Sequence, residues 1–427
     1  MIYIWIYSND MLKAFKYRIY PTSSQEELLN KHIGSARLVY NLALEAKTMA
    51  YAGNRVNLSC YDLIKQLPDL KKDCVWLKEI NSQSLQASIR NLDNAFNRFY
   101  KKLSGFPKYK SKRRGTQSFH IPQNVFVENS KLIIPKFKEG IDIELHRETI
   151  GVIKSATISK KPTGKFFVSL LCDTGEECKP KAKVTKETTV GIDLGIKVFL
   201  VTSRGEVSDN PQYLRKSESK LKYVQRKYSK HKGKRTRKKL TKLHEKVANQ
   251  RKDFLHKESS KLVRENQTIA MEDLNVKGML KNHCLAKSIS DVGWSMFTTM
   301  LEYKCEWYGV NLLKIGRFEP SSKTCSQCGT VNQELTLRDR EWTCTKCTAQ
   351  HERDLNAAVN IKNFGLKNYV SGTDTKTRNE LPALVGVSTS EAQPIGAAVG
   401  GVVHQYCRET GDLNSSLCLK MKLDFTS

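Results

Sequence analysis

The sequence predicts an α+β protein of several folded units, one of them a small module closed by four cysteines. Three observations lead there: a length of 427 residues, two hydrophobic periods that take turns along the chain, and the paired motifs Cys325-Ser-Gln-Cys328 and Cys344-Thr-Lys-Cys347. A chain this long exceeds what one core comfortably holds and divides into two or three units.

The first period is that of a strand. Leu12-Lys-Ala-Phe-Lys-Tyr-Arg-Ile-Tyr20 alternates apolar and polar residues before Pro21. Residues 24–50 and 80–103 then follow a helical period. In the second helix Leu85, Ile89, Leu92, Phe96 and Phe99 form a core-facing stripe, and Gln83, Gln86 and Arg90 fall on another side. That polar side is read as a solvated face or as a contact with a nucleic-acid groove. From Phe106 to about Glu177 short alternating runs return, among them Asn124–Val127, Lys131–Ile134, Ile141–Leu145 and Lys165–Leu171, which predicts a small antiparallel barrel or sandwich. A polar linker, Lys179–Lys186, precedes the buried strand of a new domain at Thr189-Val-Gly-Ile-Asp-Leu-Gly195.

Charge narrows the function. The formal net charge is +29, a self-repulsion that a polyanionic partner relieves. Between Arg215 and Arg264 there are 20 Lys or Arg against 4 acidic residues, so this helical region supplies most of the excess. A solvated helix face mixes signs; one sign predicts phosphate contacts, here by Lys222, Arg226, Arg235, Arg237, Lys238, Lys239 and Lys242, with Gly233 dividing the region into two helices. No run of 18 apolar residues exists and no amphipathic anchor is legible, which argues against a membrane partner. Met1–Tyr7 lacks the basic flank and cleavage site of a signal peptide. The expected location is the cytoplasm, at the nucleoid in a bacterium or archaeon, where paired cysteines mean metal rather than disulfide.

The cysteine spacing is C-x2-C-x15-C-x2-C. Each knuckle sets two thiolates on adjacent corners of a tetrahedron, so Cys325, Cys328, Cys344 and Cys347 predict one structural Zn2+ with no open position. Gly329 is expected to relieve crowding after the first knuckle, where the second has Thr348. The other eight cysteines form no tight pair and are read as ordinary thiols.

Three acidic residues occupy unusual settings. Asp193 lies in an apolar strand flanked by glycines, Glu272 ends the strand Thr268-Ile-Ala-Met-Glu272, and Asp354 opens the helix from Asp354 to Ile361. Singly they read as a turn residue, a solvent-facing residue and a helix cap. Together, three carboxylates converging from two strands and a helix are a site for two Mg2+ ions, which clamp the attacking and leaving oxygens of a phosphodiester. Asp273 points to the opposite face and is left out of this set.

These motifs in this order resemble the TnpB (OrfB) family of insertion-sequence proteins, relatives of the type V CRISPR nucleases. The resemblance rests on Tyr17-Arg-Ile-Tyr-Pro21 with Gln25, Arg37-Leu-Val-Tyr-Asn41, Gly191-Ile-Asp-Leu-Gly195, Glu272-Asp-Leu274, Lys323–Gly329 and Arg353-Asp-Leu-Asn-Ala-Ala358, and covers residues 11–365. It implies an RNase H-like (RuvC-type) α/β nuclease domain over 186–315 and 351–365 with an inserted zinc ribbon at 316–350. It also implies a wedge-like β-barrel from 11–22 and 106–180, interrupted by a helical recognition lobe at 23–105. Residues 1–10 read as an upstream extension and 366–427 as a mostly disordered tail. Asp193, Glu272 and Asp354 match the family's three acidic positions.

The implied activity is an RNA-guided, Mg2+-dependent DNA endonuclease of a transposable element. Its partners would be a guide RNA from the element's own locus and a target DNA cut beside a short adjacent motif. The alternatives are a nuclease-inactive RNA-guided DNA-binding regulator and a transposase or accessory protein in transposition. The chain departs from the family pattern at Glu352, where Asp is usual, and at Thr348, where Gly is usual; neither departure removes a carboxylate or a cysteine of the two sites.

Replacing Lys238 and Lys239 together by Gln is expected to lower the slope of log affinity against log salt by about 1.8, if each contacts one phosphate. An unchanged slope in a nucleic-acid titration places both residues in solvent.

Overall fold

The computed structural model describes residues 10–113, 116–336 and 339–371. The readings made for residues 1–9 and for 372–427 lie outside these. The chain divides into two compact units, one holding Leu12–Thr174 and the other, of the described residues, 10–11 and 175–371.

The first unit opens with β1 (Asp10–Tyr20) and α1 (Ser23–Asn54), joined at a capping box. The Thr22 side chain accepts from the Gln25 backbone, and the Gln25 side chain accepts from Thr22 N–H, satisfying two donors that a bare helix start leaves unpaired. Gln25 Nε2 also donates to the Gly140 carbonyl at 2.8 Å, tying the helix start to the sheet. Helices α2 (Cys60–Lys65), α3 (Leu67–Asp73) and α4 (Ser82–Tyr100) follow. Strands β2 (Gln117–Ile121), β3 (Phe126–Glu128), β4 (Lys131–Ile134), β5 (Phe137–Glu144), β6 (Val152–Lys160) and β7 (Phe166–Glu177) complete a seven-stranded sheet in the order β2-β6-β7-β1-β5-β4-β3.

Alternation is sharp in β7, where Phe166, Val168, Leu170 and Cys172 are buried. Helix α1 serves two cores: Leu29, Ile33 and Ala36 pack with the sheet, and Val39, Tyr40 and Leu44 with α2–α4. In α4 Leu85, Ile89, Leu92 and Phe96 are buried, but Phe99 is only half-buried and packs edge-on against Phe106. Arg37 Nη1 donates to Gln117 Oε1 at 3.0 Å, and the Asn41 amide pairs with both backbone groups of Lys110 at 2.8 and 2.9 Å.

The second unit is built on β8 (Thr189–Leu194), β9 (Val198–Thr202), β10 (Val207–Asp209), β11 (Thr268–Glu272) and β12 (Asn311–Ile315), in the order β10-β9-β8-β11-β12. The β8-β11 and β11-β12 pairs are parallel and the β8-β9 and β9-β10 pairs antiparallel. Parallel neighbours need long crossovers. From the antiparallel edge to β11 the chain runs through α5 (Tyr213–His231) and α6 (Lys234–Glu265); from β11 to β12 it runs through α7 (Val276–Met279), α8 (Ala286–Val292) and α9 (Trp294–Tyr308). A small hairpin, β13 (Glu341–Thr343) and β14 (Gln350–Glu352), leads into α10 (Arg353–Val370). The helix expected to end near residue 361 therefore runs to Val370, and the expected tail from 366 begins inside it.

Because side chains alternate, the sheet has two distinct faces. Val190, Ile192, Ile269 and Met271 pack with Leu255, Leu262, Phe297 and Leu301 of α6 and α9. Lys304 is buried there, its ammonium donating to the His256 carbonyl and the Ser259 and Ser260 hydroxyls at 2.7–2.9 Å. On the opposite face Ala270, Leu313 and Ile315 pack with Ile361 of α10. Gly191 shares that face, and a Cβ there would stand 2.1 Å from the Ala358 carbonyl oxygen and 2.7 Å from the Lys362 nitrogen. Gly365 is the reciprocal case, its Cβ position lying 2.9 Å from that of Ala270.

Gly191→Ala forces α10 off β8, since backbone atoms block the added methyl. A loss of about 3 kcal/mol is expected, read as a lower denaturant midpoint at unchanged m-value. A midpoint equal to the parent's would show that the helix yields freely.

Candidate active site and metal centre

The face occupied by α10 also carries the carboxylates. The β8-β11 register pairs Met271 with Ile192, so Asp193 and Glu272 follow as neighbours, both pointing to the side of Gly191 and Ala270. Asp354 sits in the first turn of α10. It is not the helix cap: that position is Glu352, which makes no side-chain capping bond.

Asp193 feels the charges of the other two. Burial first, then the charges of Glu272 and Asp354, push Asp193 up to about 7, with Arg353 opposing. Burial also raises Glu272, which Ser321 Oγ counters by donating to Glu272 Oε1 at 2.6 Å, while Glu319 adds to the rise. Arg340 Nη1 donates to both oxygens of Asp354 at 3.2 Å. Among the described residues only the four cysteines form a group of three or more whose ligand atoms all lie within 4.8 Å of one another, so the three carboxylates do not all approach one another that closely. Three half-buried carboxylates repel one another when ionised, and a hard cation of oxygen-ligand chemistry fits that donor set. Asp273 turns away from them and binds Arg317, whose Nε and Nη2 donate to Asp273 Oδ2 at 3.1 and 2.8 Å.

The four thiols form a metal-binding cluster. Cys325 and Cys347 Sγ stand 3.5 Å apart and Cys328 and Cys344 Sγ 3.6 Å apart. Zn–S bonds of about 2.3 Å in a tetrahedron require sulfur separations of about 3.8 Å, so Zn2+ fits the cage with little adjustment. The two knuckles turn through left-handed backbone at Gly329 (φ 75°) and Thr348 (φ 57°). A Cβ on Gly329 would meet nothing within 4 Å, so the glycine serves backbone conformation and not the crowding expected. Thr348 adopts the same conformation at a cost, its hydroxyl donating to the Cys347 carbonyl at 2.7 Å.

Several residues of the site carry no clear signal in the sequence. His351 is buried with Nε2 3.0 Å from Cys325 Sγ and its ring against Trp342. Asn356 Nδ2 donates to the Thr324 carbonyl at 2.7 Å, and Asn360 Nδ2 to those of Ser321 and Thr324 at 2.7 and 2.6 Å. Two asparagines four apart inside an Ala-rich helix were the available signal, since a buried amide there demands partners. Glu319, the fourth carboxylate, accepts from Asn368 Nδ2 at 2.8 Å.

Helices α5 and α6 meet at Lys232-Gly233, and Leu221, Val224, Val247 and Leu255 are buried. Lys222, Arg226, Arg235, Arg237, Lys238, Lys239 and Lys242 are all exposed; Lys222 pairs with Glu218 at 2.7 Å. In the first unit Arg90 is exposed and Gln83 and Gln86 are half-buried. No helix among the described residues is long and apolar enough to cross a membrane.

Residues 169–283 match a family model described as "Probable transposase", and residues 294–361 one described as "Cas12f1-like, TNB domain". Residues 11–55 match one described as "Helix-turn-helix domain", although here they form β1 and one unbroken helix. A Streptomyces pristinaespiralis protein provisionally named an RNA-guided DNA endonuclease is 40% identical, over 91% of this chain and 98% of its own. A protein of Escherichia coli K12 with the same provisional name, InsQ, is 28% identical over 82% of this chain and 91% of its own. Among solved structures, a chain of the Cas12f1-sgRNA-target DNA complex superposes with a TM-score of 0.51 at 15% identity, covering 83% of this chain and 99% of that one, a likeness of fold alone.

Asp193 supplies a pH prediction. Its carboxyl stays protonated in the fold to about 7 but ionises near pH 4 when unfolded. The fold then binds the extra proton between these values, so stability falls as pH rises from about 4 to 7. In Mg2+-free buffer Asp193→Asn is expected to melt at least 4 °C or so above the parent at pH 8 and level with it below about pH 4. A difference independent of pH in the melting curves contradicts the assignment.

Proposed function

The chain belongs to the TnpB (OrfB) family, and from that membership we propose that it is an RNA-guided, Mg2+-dependent DNA endonuclease of a transposable element. The observation that carries the chemistry is the meeting of Asp193, Glu272 and Asp354 on one face of the β8-β11 pair, each from a different element. In this reading that sheet with α10 is a RuvC-type nuclease core, and the four-cysteine cluster is a zinc ribbon inserted before its last helix.

The residues divide the work. Asp193, Glu272 and Asp354 supply hard oxygen ligands for two Mg2+ ions. Ions held there would supply Lewis-acid chemistry, favouring ionisation of an attacking water and offsetting charge on the leaving oxygen of the scissile phosphodiester. Ser321 orients the Glu272 carboxylate by its hydrogen bond, and Arg340 holds Asp354 from the other side. No residue forms a covalent intermediate. The exposed lysines and arginines of α5 and α6 meet the phosphates of the guide–target heteroduplex, recognised by shape while base pairing reads sequence. Zn2+ on Cys325, Cys328, Cys344 and Cys347 is structural, because sulfur fills every position. The protein works in the cytoplasm, at the nucleoid of a bacterial or archaeal host.

Co-expression with RNA from its own locus is expected to yield one enriched bound RNA. With Mg2+, the complex should cut plasmids carrying the guide-matched target beside a subset of randomised flanks, and Asp193→Ala should bind equally and not cut. Bound RNA without cutting by the parent replaces this reading with a nuclease-inactive regulator, and loss of binding in Asp193→Ala makes that residue structural.

A further inference from the structure

Phe318 is the most exposed large hydrophobic side chain among the described residues, at 98%. Single apolar residues on a surface are ordinary, but this one is held out by its loop. Residues 316–321 link β12 to the first cysteine knuckle and are pinned on both sides of the ring. On one side Arg317 is bonded to the carboxylate and carbonyl of Asp273, the residue after Glu272. On the other, Glu319 accepts from Gly316 N–H at 3.3 Å and from Asn368 Nδ2 at 2.8 Å, and Pro320 follows. Three residues beyond the phenylalanine, Ser321 donates to Glu272. The loop that carries the ring is therefore tied on both sides, and through Ser321 to a candidate catalytic carboxylate.

The ring stands within three residues of Ser321, roughly 10 Å of chain, or about the span of two or three stacked nucleotides. Along the chain it is flanked by Arg317, already paired with Asp273, and by Glu319, so the exposed ring and not local charge is what this loop offers a ligand. A rigid exposed aromatic beside a phosphodiester-cleaving centre matches what an unpaired base requires, because every base has a face to stack on a ring. We propose that Phe318 stacks on an unpaired base of the DNA strand entering the carboxylate site and sets which phosphate is presented to it. This rests on the nuclease reading above. Phe318 is a substrate-contacting residue that takes no part in proton or metal chemistry.

The test uses the full-length protein with its bound RNA and three variants, Phe318→Ala, Phe318→Trp and Asp193→Ala. Phe318→Ala is expected to slow single-turnover cutting roughly ten-fold or more and to scatter the cut position, at parental zinc content and RNA binding; Phe318→Trp retains rate and position. A single-stranded oligonucleotide carrying 2-aminopurine should lose emission on binding the parent, Phe318→Trp and Asp193→Ala, and keep it with Phe318→Ala. Parental cutting and equal quenching by Phe318→Ala overturn the proposal. Should the parent itself fail to cut, the nuclease reading falls, and the quenching comparison alone still decides whether Phe318 stacks on a base.

Discussion

Everything that gathers the carboxylates depends on how closely α10 lies on β8. Its carbonyl at Ala358 passes where a side chain at position 191 would begin, and only glycine leaves that space empty. Gly365 admits the same helix against Ala270 one strand over. With two small residues opposed, backbone meets backbone, and the helix start is brought to the end of β8 where Asp193 stands. A larger residue at either place would lift the helix and carry Asp354 away from its partners. The close contact also bears on Asp193, whose carboxyl is held up by burial first and then by the charges of Glu272 and Asp354.

The cysteine cluster extends this arrangement and is not an independent appendage. Its first knuckle is gripped by the α10 amides, Asn356 on Thr324 and Ser326 and Asn360 on Ser321 and Thr324. Its second knuckle lies between β13 and β14, and β14 runs directly into Arg353 and Asp354. One segment thus delivers Ser321 to Glu272 and the other delivers Asp354 to the sheet. A metal held by the four cysteines would fix the two knuckles together and with them both deliveries, coupling the folding of this module to the geometry of the carboxylates. His351, packed between Trp342 and Cys325, belongs to the same joint.

The sequence disclosed what depends on local pattern. The break at Gly233, the alternation in β7, the cysteine spacing and the odd placing of Asp193 in an apolar strand all follow from neighbours along the chain. What it concealed depends on residues far apart. The roles of Gly191 and Gly365 exist only once a helix crosses a sheet, and flanking glycines alone looked like turn chemistry. Asn356 and Asn360 are ordinary helix residues until their carbonyl partners arrive from 32 to 39 positions away. Gly329 was legible as necessary but for the wrong reason, since backbone dihedrals, unlike crowding, leave no trace in residue volumes. The last turns of α10, Leu366–Val370, are hard to read from sequence because Lys367, Tyr369 and Val370 are all exposed and no strong apolar stripe continues through them.

The central claim is that Asp193, Glu272 and Asp354 together hold divalent cations. Crystals soaked in Mn2+ and measured across the manganese absorption edge test it without reference to activity. The account predicts one or two anomalous peaks bounded by these three carboxylates, lost in Asp193→Ala, with zinc alone at the four cysteines. Manganese bound elsewhere, or no peak among the three in well-ordered crystals, would contradict it.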